Sequence, residues 1–266
     1  MRSLWTIERV TASVLERAER GDALSPSALL FLVRRYLAAS EPDVSGVLGY
    51  ALAAALDRSF DESPTLERAE WLRALFEAIA VSEDPRLAEA ARGLLAGLAA
   101  EWPGLTKIGD AAPSIDAGLV ASPLVNPREL VPRAIDELER VVGGVYHPGQ
   151  SVGDASDHVC LAAALLTAFE ATGRLPYSML AEELMQAVVV QGTEVQNFIV
   201  GCDAVRVWSR LAVLHDDQTY RSAAVIKADA AYRSDAVRML EQLSTALDDP
   251  RVDAARYGLA LDESHR

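Results

Sequence analysis

Lysine is nearly absent. Only Lys107 and Lys227 occur, and arginine supplies the remaining positive charge. With a formal net charge of −14 and no Lys/Arg cluster, the chain lacks the basic face that nucleic acid or an anionic membrane surface requires, so neither partner is expected. Cysteine is as scarce. Cys160 and Cys202 sit in apolar helical patterns, with no CxxC and no Cys/His zinc spacing, so both are read as buried, unpaired thiols. No uninterrupted apolar run approaches the ~20 residues of a spanning helix. The opening stretch "MRSLWTIERVTASVLERAER" is broken by Glu8, Arg9 and Glu16 and has no signal-peptide core. A soluble, cytoplasmic protein is expected. GxSxG, P-loop and GxGxxG motifs are missing, and the glycines of "VVGGVYHPG" lack a strand–turn–helix context. No cofactor is expected.

Aromatics make up 6% of the chain, and Ala and Leu fill much of the 50% that is apolar. That mixture suits helix packed on helix. Helical periodicity predicts helices near 4–20, 26–39, 44–60, 65–81, 85–101, 127–142, 156–172, 176–191, 194–214, 217–227, 232–247 and 251–261. Proline opens several of them, as in "SPS" at 25–27, "SPT" at 63–65 and "EDP" at 83–85. "TEVQ" at 193–196 has the spacing of a capping box. Residues 103–126, "PGLTKIGDAAPSIDAGLVASPLVN", carry Pro and Gly at intervals without the helical period. They are read as an irregular insertion, with "GLVASPLV" as a short extended piece. It is either a functional segment or a crossover between two halves of one 1–266 domain.

Three phrases resemble one another: "LFEAIAVSEDPRLAEAARGLL", "LLTAFEATGRLPYSMLAEELM" and "WSRLAVLHDDQTYRSAAVIKA". Each reads as an apolar helix, a polar turn, and a second, Ala-rich helix, with Leu87, Tyr177 and Tyr220 in the equivalent place. The spacing implies a helical hairpin of about 45 residues that must stack on its neighbours to bury a face. The expected fold is all-α, with repeated hairpins forming a small (α/α) toroid or an open helical array.

The phrase "AFEATGRLPYSMLAEELM" resembles the repeated hairpin of (α/α) toroid proteins: six-hairpin glycosidases, sugar epimerases, and the C-terminal helical region of YyaL-type thioredoxin-domain proteins. The resemblance covers roughly 65–225 and is clearest over 156–226. It implies that loops leading into inner helices line a ligand-binding mouth. The stretch "YHPGQSVGDASDH" at 146–158 would be such a loop, which puts Tyr146, His147, Asp154, Asp157 and His158 near a candidate pocket. His147 would serve as acid or base, with Asp154 or Asp157 orienting it. The same residues also read as a turn and a capped helix start, with Asp154 or Ser156 as N-cap and Asp157 suiting the helix dipole. The eleven-residue spacing of the histidines fits no standard zinc site, and no metal is expected.

In "EVQNFIVGCDAVRVWSRLAVLHD", Gln196, Asp203 and Arg210 recur every seven residues and form a polar stripe. Glu194 and Asn197 sit at its start, and Trp208 offers an apolar platform. Asp203 with Arg206 also reads as an intrahelical ion pair, and Gly201 as a site of close packing. "DDPRVD" at 248–253 and "HDDQTY" at 215–220 lack the context of a metal-binding aspartate motif. Two functions follow. One is a non-catalytic helical-repeat interaction or scaffold protein with a protein partner. The other is a toroid-type enzyme or binding protein for a carbohydrate-like or other neutral polar small molecule. Homo-oligomerisation is left open. Convergence of Tyr146, His147, Asp157 and Asn197 on one cavity would favour the second.

Overall fold

The computed structural model describes residues 5–147, 150–151, 153–190, 197–224, 230–249 and 251–266. Among these the protein is all-α. The helices are α1 (Ile7–Glu19), α2 (Pro26–Ala39), α3 (Pro42–Leu56), α4 (Thr65–Ala78), α5 (Pro85–Glu101), α6 (Ile108–Val120), α7 (Pro127–Val145), α8 (Ala155–Thr172), α9 (Leu175–Val190), α10 (Phe198–Asp216), α11 (Gln218–Ala223), α12 (Tyr232–Ser244) and α13 (Ala254–Ser264). Among the described residues the only pairing of extended backbone is a two-residue ladder, β1 (Tyr146–His147) with β2 (Gln150–Ser151). No helix among the described residues is long and apolar enough to cross a membrane.

Local chemistry sets the boundaries. Ser25, Asp84, Asp154, Asn197, Asp217 and Asp253 each place a side-chain oxygen on an amide of the first turn of the helix they precede. Each thereby satisfies a donor with no partner inside the helix. Pro26, Pro42 and Pro85 open α2, α3 and α5, where the missing N–H costs nothing. Gly173 ends α8 in the left-handed conformation, at φ +70°, which a residue without a Cβ adopts freely.

Packing order organises the whole. α2 packs on α4, α4 on α6, α6 on α8, α8 on α10, α10 on α13, and α13 back on α2, so the contacts are cyclic. The other long helices cover these from outside: α3 on α2, α5 on α4 and α6, α7 on α6 and α8, α9 on α8, α12 on α10 and α13, and α1 on α13. The cycle closes tightly. A Cβ on Gly258 of α13 would meet Phe31 of α2 at 2.5 Å and Val10 of α1 at 2.8 Å, so only glycine allows this approach.

The irregular insertion expected over 103–126 is not what the chain forms. Ile108–Val120 is a helix with Pro113 inside it, and "GLVASPLV" ends that helix and enters a 3-10 turn at Ser122–Leu124. The residues read as breakers have other work. Trp102 is fully buried, and its indole N–H donates to Ser114 Oγ at 2.9 Å. A Cβ on Gly118 would come within 2.5 Å of that ring. Leu87, Tyr177 and Tyr220 do share a place: each is buried and is the third residue of its helix, α5, α9 and α11. The third phrase nevertheless departs from the others, because α11 has 6 residues where α5 has 17 and α9 has 16. The proposed capping box at 193–196 lies outside the described residues.

Candidate functional site

The inner helices line a half-open cavity of about 790 Å³, with walls from α4, α6, α8, α10 and α13. It runs the length of three of them: Ser156 to Glu170 on α8, Ile199 to Leu214 on α10, and Arg256 to Arg266 at α13. Fifteen residues of helix between Ile199 and Leu214 span roughly 22 Å at 1.5 Å per residue. The wall is mostly aliphatic: Leu66 and Ala69, Pro113 and Ala117, Val159 and Ala163, then Ile199, Val200, Val207, Val213 and Leu214. Among the described residues no Phe, Tyr or Trp lines it.

Charged side chains stand on the same wall at helical spacing. Glu70 and Arg73 come from α4, Asp116 from α6, Asp203, Arg206 and Arg210 from α10, and Arg256 and Glu263 from α13. Their Nη groups and carboxylates pair with one another, whereas Nε of Arg73, Arg206 and Arg256 is buried with no hydrogen-bond partner among the described residues. Arg73 Nη1 donates to Asp116 Oδ2 at 2.6 Å, and Thr167 Oγ1 donates to Asp116 Oδ1 at 2.5 Å. Arg210 Nη2 reaches Thr167 Oγ1 and Glu170 Oε1, each at 3.0 Å. Arg206 Nη2 donates to Glu263 Oε1 at 3.0 Å, and Arg34 Nη1 donates to the same oxygen at 2.6 Å. Arg34 also forks onto Glu77 with two bonds of 2.9 Å. Every neighbouring pair of inner helices is thus joined by side chains, and the circuit closes as the helices do. Arg256 adds a strut between helices that are not neighbours in that cycle. Its Nη2 pairs with Glu70 of α4 and its Nη1 with Asp203 of α10 at 3.2 Å.

These pairings set the protonation states. Burial alone would push the Glu263 carboxyl up, but Arg206 and Arg34 outweigh it and hold it well below the usual carboxylate range. Glu77 is lowered in the same way, burial being overcome by Arg34. Glu70 goes the other way: burial raises its carboxyl, and Arg256 offsets only part of that. Cys160 also lines the cavity, and burial pushes its thiol up to about 12, which leaves it protonated and unreactive at neutral pH. Among the described residues no group of His, Cys, Asp and Glu is placed to hold a metal ion.

The residues anticipated from the sequence are divided by this geometry. Asp203 lines the cavity and pairs with Arg256 and, at 3.8 Å, with Arg206. Asn197 caps α10 just outside, accepting from the amide of Ile199 at 2.9 Å. Asp154 caps α8, accepting from the amide of Asp157 at 2.9 Å. Trp208 is not a platform in the cavity but a core residue, 3% exposed. It lies roughly 140° around α10 from Asp203, at 100° per residue. His158 is likewise turned inward, 2% exposed, and makes no hydrogen bond to Asp154 or Asp157 among the described residues. Two residues past Ser156, it occupies the opposite side of α8. Burial lowers the His158 ring and, with Asp154 nearby, raises the Asp157 carboxyl. The histidine–carboxylate pair expected in this loop is therefore not formed at His158. The side chains of Tyr146 and His147, and Gln196 of the polar stripe, lie outside the described part.

Glu70, Arg73, Asp116, Arg256 and Glu263 were not anticipated. Their signal was present in a repeated spacing: Glu70, Arg73 and Glu77 sit at i, i+3, i+7, as do Asp203, Arg206 and Arg210, while Arg256 and Glu263 sit at i, i+7. Neither the protein-family models nor the curated proteins contain a match to this chain.

Proposed function

We propose that the protein binds a neutral small molecule in the half-open cavity lined by α4, α6, α8, α10 and α13, and that the cyclic order of its inner helices is that of a small (α/α) toroid. The observation that carries the reading is a large, mostly aliphatic cavity whose charged groups are already paired with each other. A volume of about 790 Å³ falls in the range of small-molecule pockets. A charged ligand would have to displace an internal partner, leaving a buried charge unpaired, which is costly; a neutral one would not. The alternation of inner and outer helices along the chain supports the toroid arrangement, as does the hairpin resemblance over 156–226.

A thermal-shift screen of neutral polyols and alcohols tests this. A solute bound only by the folded state raises the midpoint, by a stabilisation that grows as the logarithm of 1 + [L]/Kd. The rise should vanish in Ala163→Phe, where an aromatic ring intrudes from α8 midway along the cavity. An equal shift in both proteins would overturn the reading. The interaction-module alternative draws on Leu37 and Tyr50, exposed at 56% and 62% on the packed pair α2 and α3. It expects the double variant Leu37→Asp, Tyr50→Asp to change the sedimentation of the protein.

A further inference from the structure

The hydrogen-bonding capacity left over on the cavity wall is of one kind. Among the described residues, Nε of Arg73, Arg206 and Arg256 is buried without a partner, and no carboxylate oxygen of the wall is in that state. A guanidinium carries five N–H donors and no acceptor, and a buried donor with nothing to bond costs free energy. The wall is therefore short of acceptors. Arg73 has the most to offer. It holds Asp116 through Nη1, and neither its Nε nor its Nη2 makes a hydrogen bond among the described residues. These two nitrogens share one edge of the planar group, the fork that receives oxygen acceptors. Nε is shielded and Nη2 is not, and the side chain as a whole stays 21% exposed on the cavity wall. We propose that the ligand is a neutral aliphatic carbonyl compound whose oxygen accepts from the Nη2–Nε edge of Arg73 and whose hydrocarbon body lies along the aliphatic wall of α8 and α10.

Charge and chemistry narrow the class. Against five arginines on the wall stand six carboxylates, so an anionic acceptor finds no surplus positive charge to repay its desolvation. A polyol brings a donor with every oxygen, and the wall has donors enough. An aliphatic ketone or ester brings acceptor oxygen alone. Its body also has a place to lie. Thr167 joins Asp116 from α8, as Arg73 does from α4, and one turn before Thr167 stands Ala163, with Val159 a turn further back on the same wall. Val200 and Val207 of α10 line the cavity with them. The inference rests on the cavity being a binding site and adds which group of the ligand is recognised, and by which residue.

Isothermal titration calorimetry on the full chain tests it with 2-heptanone, 2-nonanone, 1-methoxyoctane, octanoate and myo-inositol. From 2-heptanone to 2-nonanone affinity should rise about fourfold per added methylene, the equivalent of ~0.8 kcal/mol. 1-Methoxyoctane matches 2-nonanone in size but is the weaker acceptor, and should bind about tenfold less tightly, as for one hydrogen bond to a charged donor. Arg73→Lys keeps a positive charge opposite Asp116 but removes the planar edge. It should weaken 2-nonanone by a similar factor and leave 1-methoxyoctane unchanged, whereas a merely damaged cavity would weaken both. Ala163→Phe, beside the proposed site, should weaken both about tenfold or more. Infrared spectroscopy of bound 2-nonanone needs no variant at Arg73. Its C=O stretch, clear of the protein amide bands, should fall below its position in hexane, as a hydrogen bond to guanidinium requires. A stretch left at the hexane position overturns the inference, and so does equal binding of ketone and ether. Preferential binding of myo-inositol overturns the carbonyl class and leaves the cavity as a site for a neutral molecule. Preferential binding of octanoate overturns neutrality as well. No binding by any probe overturns both the inference and the reading it rests on.

Discussion

Glu263 on α13 and Glu182 on α9 are both withdrawn from water, with side chains 13% and 4% exposed, yet the chain holds them by opposite means. Glu263 takes two guanidinium groups, from Arg34 and Arg206. Glu182 takes His215 Nε2 at 2.9 Å and the hydroxyls of Tyr220 at 2.8 Å and Tyr232 at 3.3 Å. The first arrangement fixes inner helices to one another across the cycle; the second fixes the outer layer, where α9, α11 and α12 meet α10. A carboxylate between arginines is tied to full charge on every partner. A carboxylate among phenols and an imidazole is held by groups that need not be charged. The inner wall is therefore the more brittle of the two.

The largest test of that contrast is a pair of isosteric changes. Glu263→Gln leaves Arg34 and Arg206 without their shared counter-charge and should cost about 3–5 kcal/mol in urea unfolding. Glu182→Gln keeps an acceptor for the phenols and should cost about 1–3 kcal/mol. Equal losses would break the comparison.

The next test is pH. The folded-state carboxyls of Glu263 and Glu77 lie below the ordinary value of 4.5, so the stabilisation they give is complete above that value and is lost as the pH falls below it. Glu70, being raised, opposes this in part. On the alkaline side, burial and the neighbouring Glu182 carry the Tyr220 hydroxyl from 10.0 to about 12. That contribution is complete below pH 10 and is lost as the pH rises towards 12. Urea midpoints measured across both limbs should show a shallower acid limb in Glu263→Gln and a shallower alkaline limb in Tyr220→Phe. Exchange of those two outcomes would refute the assignment of the clusters.

The smallest test concerns glycine. Gly258→Ala drives a methyl into Phe31 of α2 and Val10 of α1 and should cost about 1–3 kcal/mol. Gly93→Ala on α5 meets nothing within 4 Å and should gain up to about 1 kcal/mol from helix propensity. Thermal midpoints of the two variants report both signs at once.

Most of the helices were legible because capping residues, opening prolines and the 3.6-residue period agree with one another. α6 was not, because Gly109, Pro113 and Gly118 look like breakers when read locally. Pro113 is tolerated within the helix, and Gly118 is needed only because Trp102 packs against it. The crowd of His and Asp at 146–158 suggested chemistry, yet Asp154 proves to be a cap and His158 a buried ring. Conversely, Glu70, Arg73 and Glu263 looked like ordinary solvated charges on amphipathic helices. Their partners lie on other helices, 186 residues away for Glu70 and Arg256 and 229 for Arg34 and Glu263, and no local pattern reports contacts of that reach.

The return of α13 to α2 has a consequence in time. Arg34 and Glu263 are 229 residues apart, and Ser25 and Asp253 are 228 apart, so a chain made at ~5–20 residues per second holds α2 in readiness for roughly 10–50 s before its partner is synthesised. Closing so long a loop is entropically slow. During that interval the seat that Gly258 will fill, between Val10 and Phe31, stands open as a hydrophobic notch on a growing horseshoe. Vectorial synthesis thus makes α13 the kinetic keystone of the cycle, and a second nascent chain offering its own α13 first would fill the notch as a domain-swapped dimer.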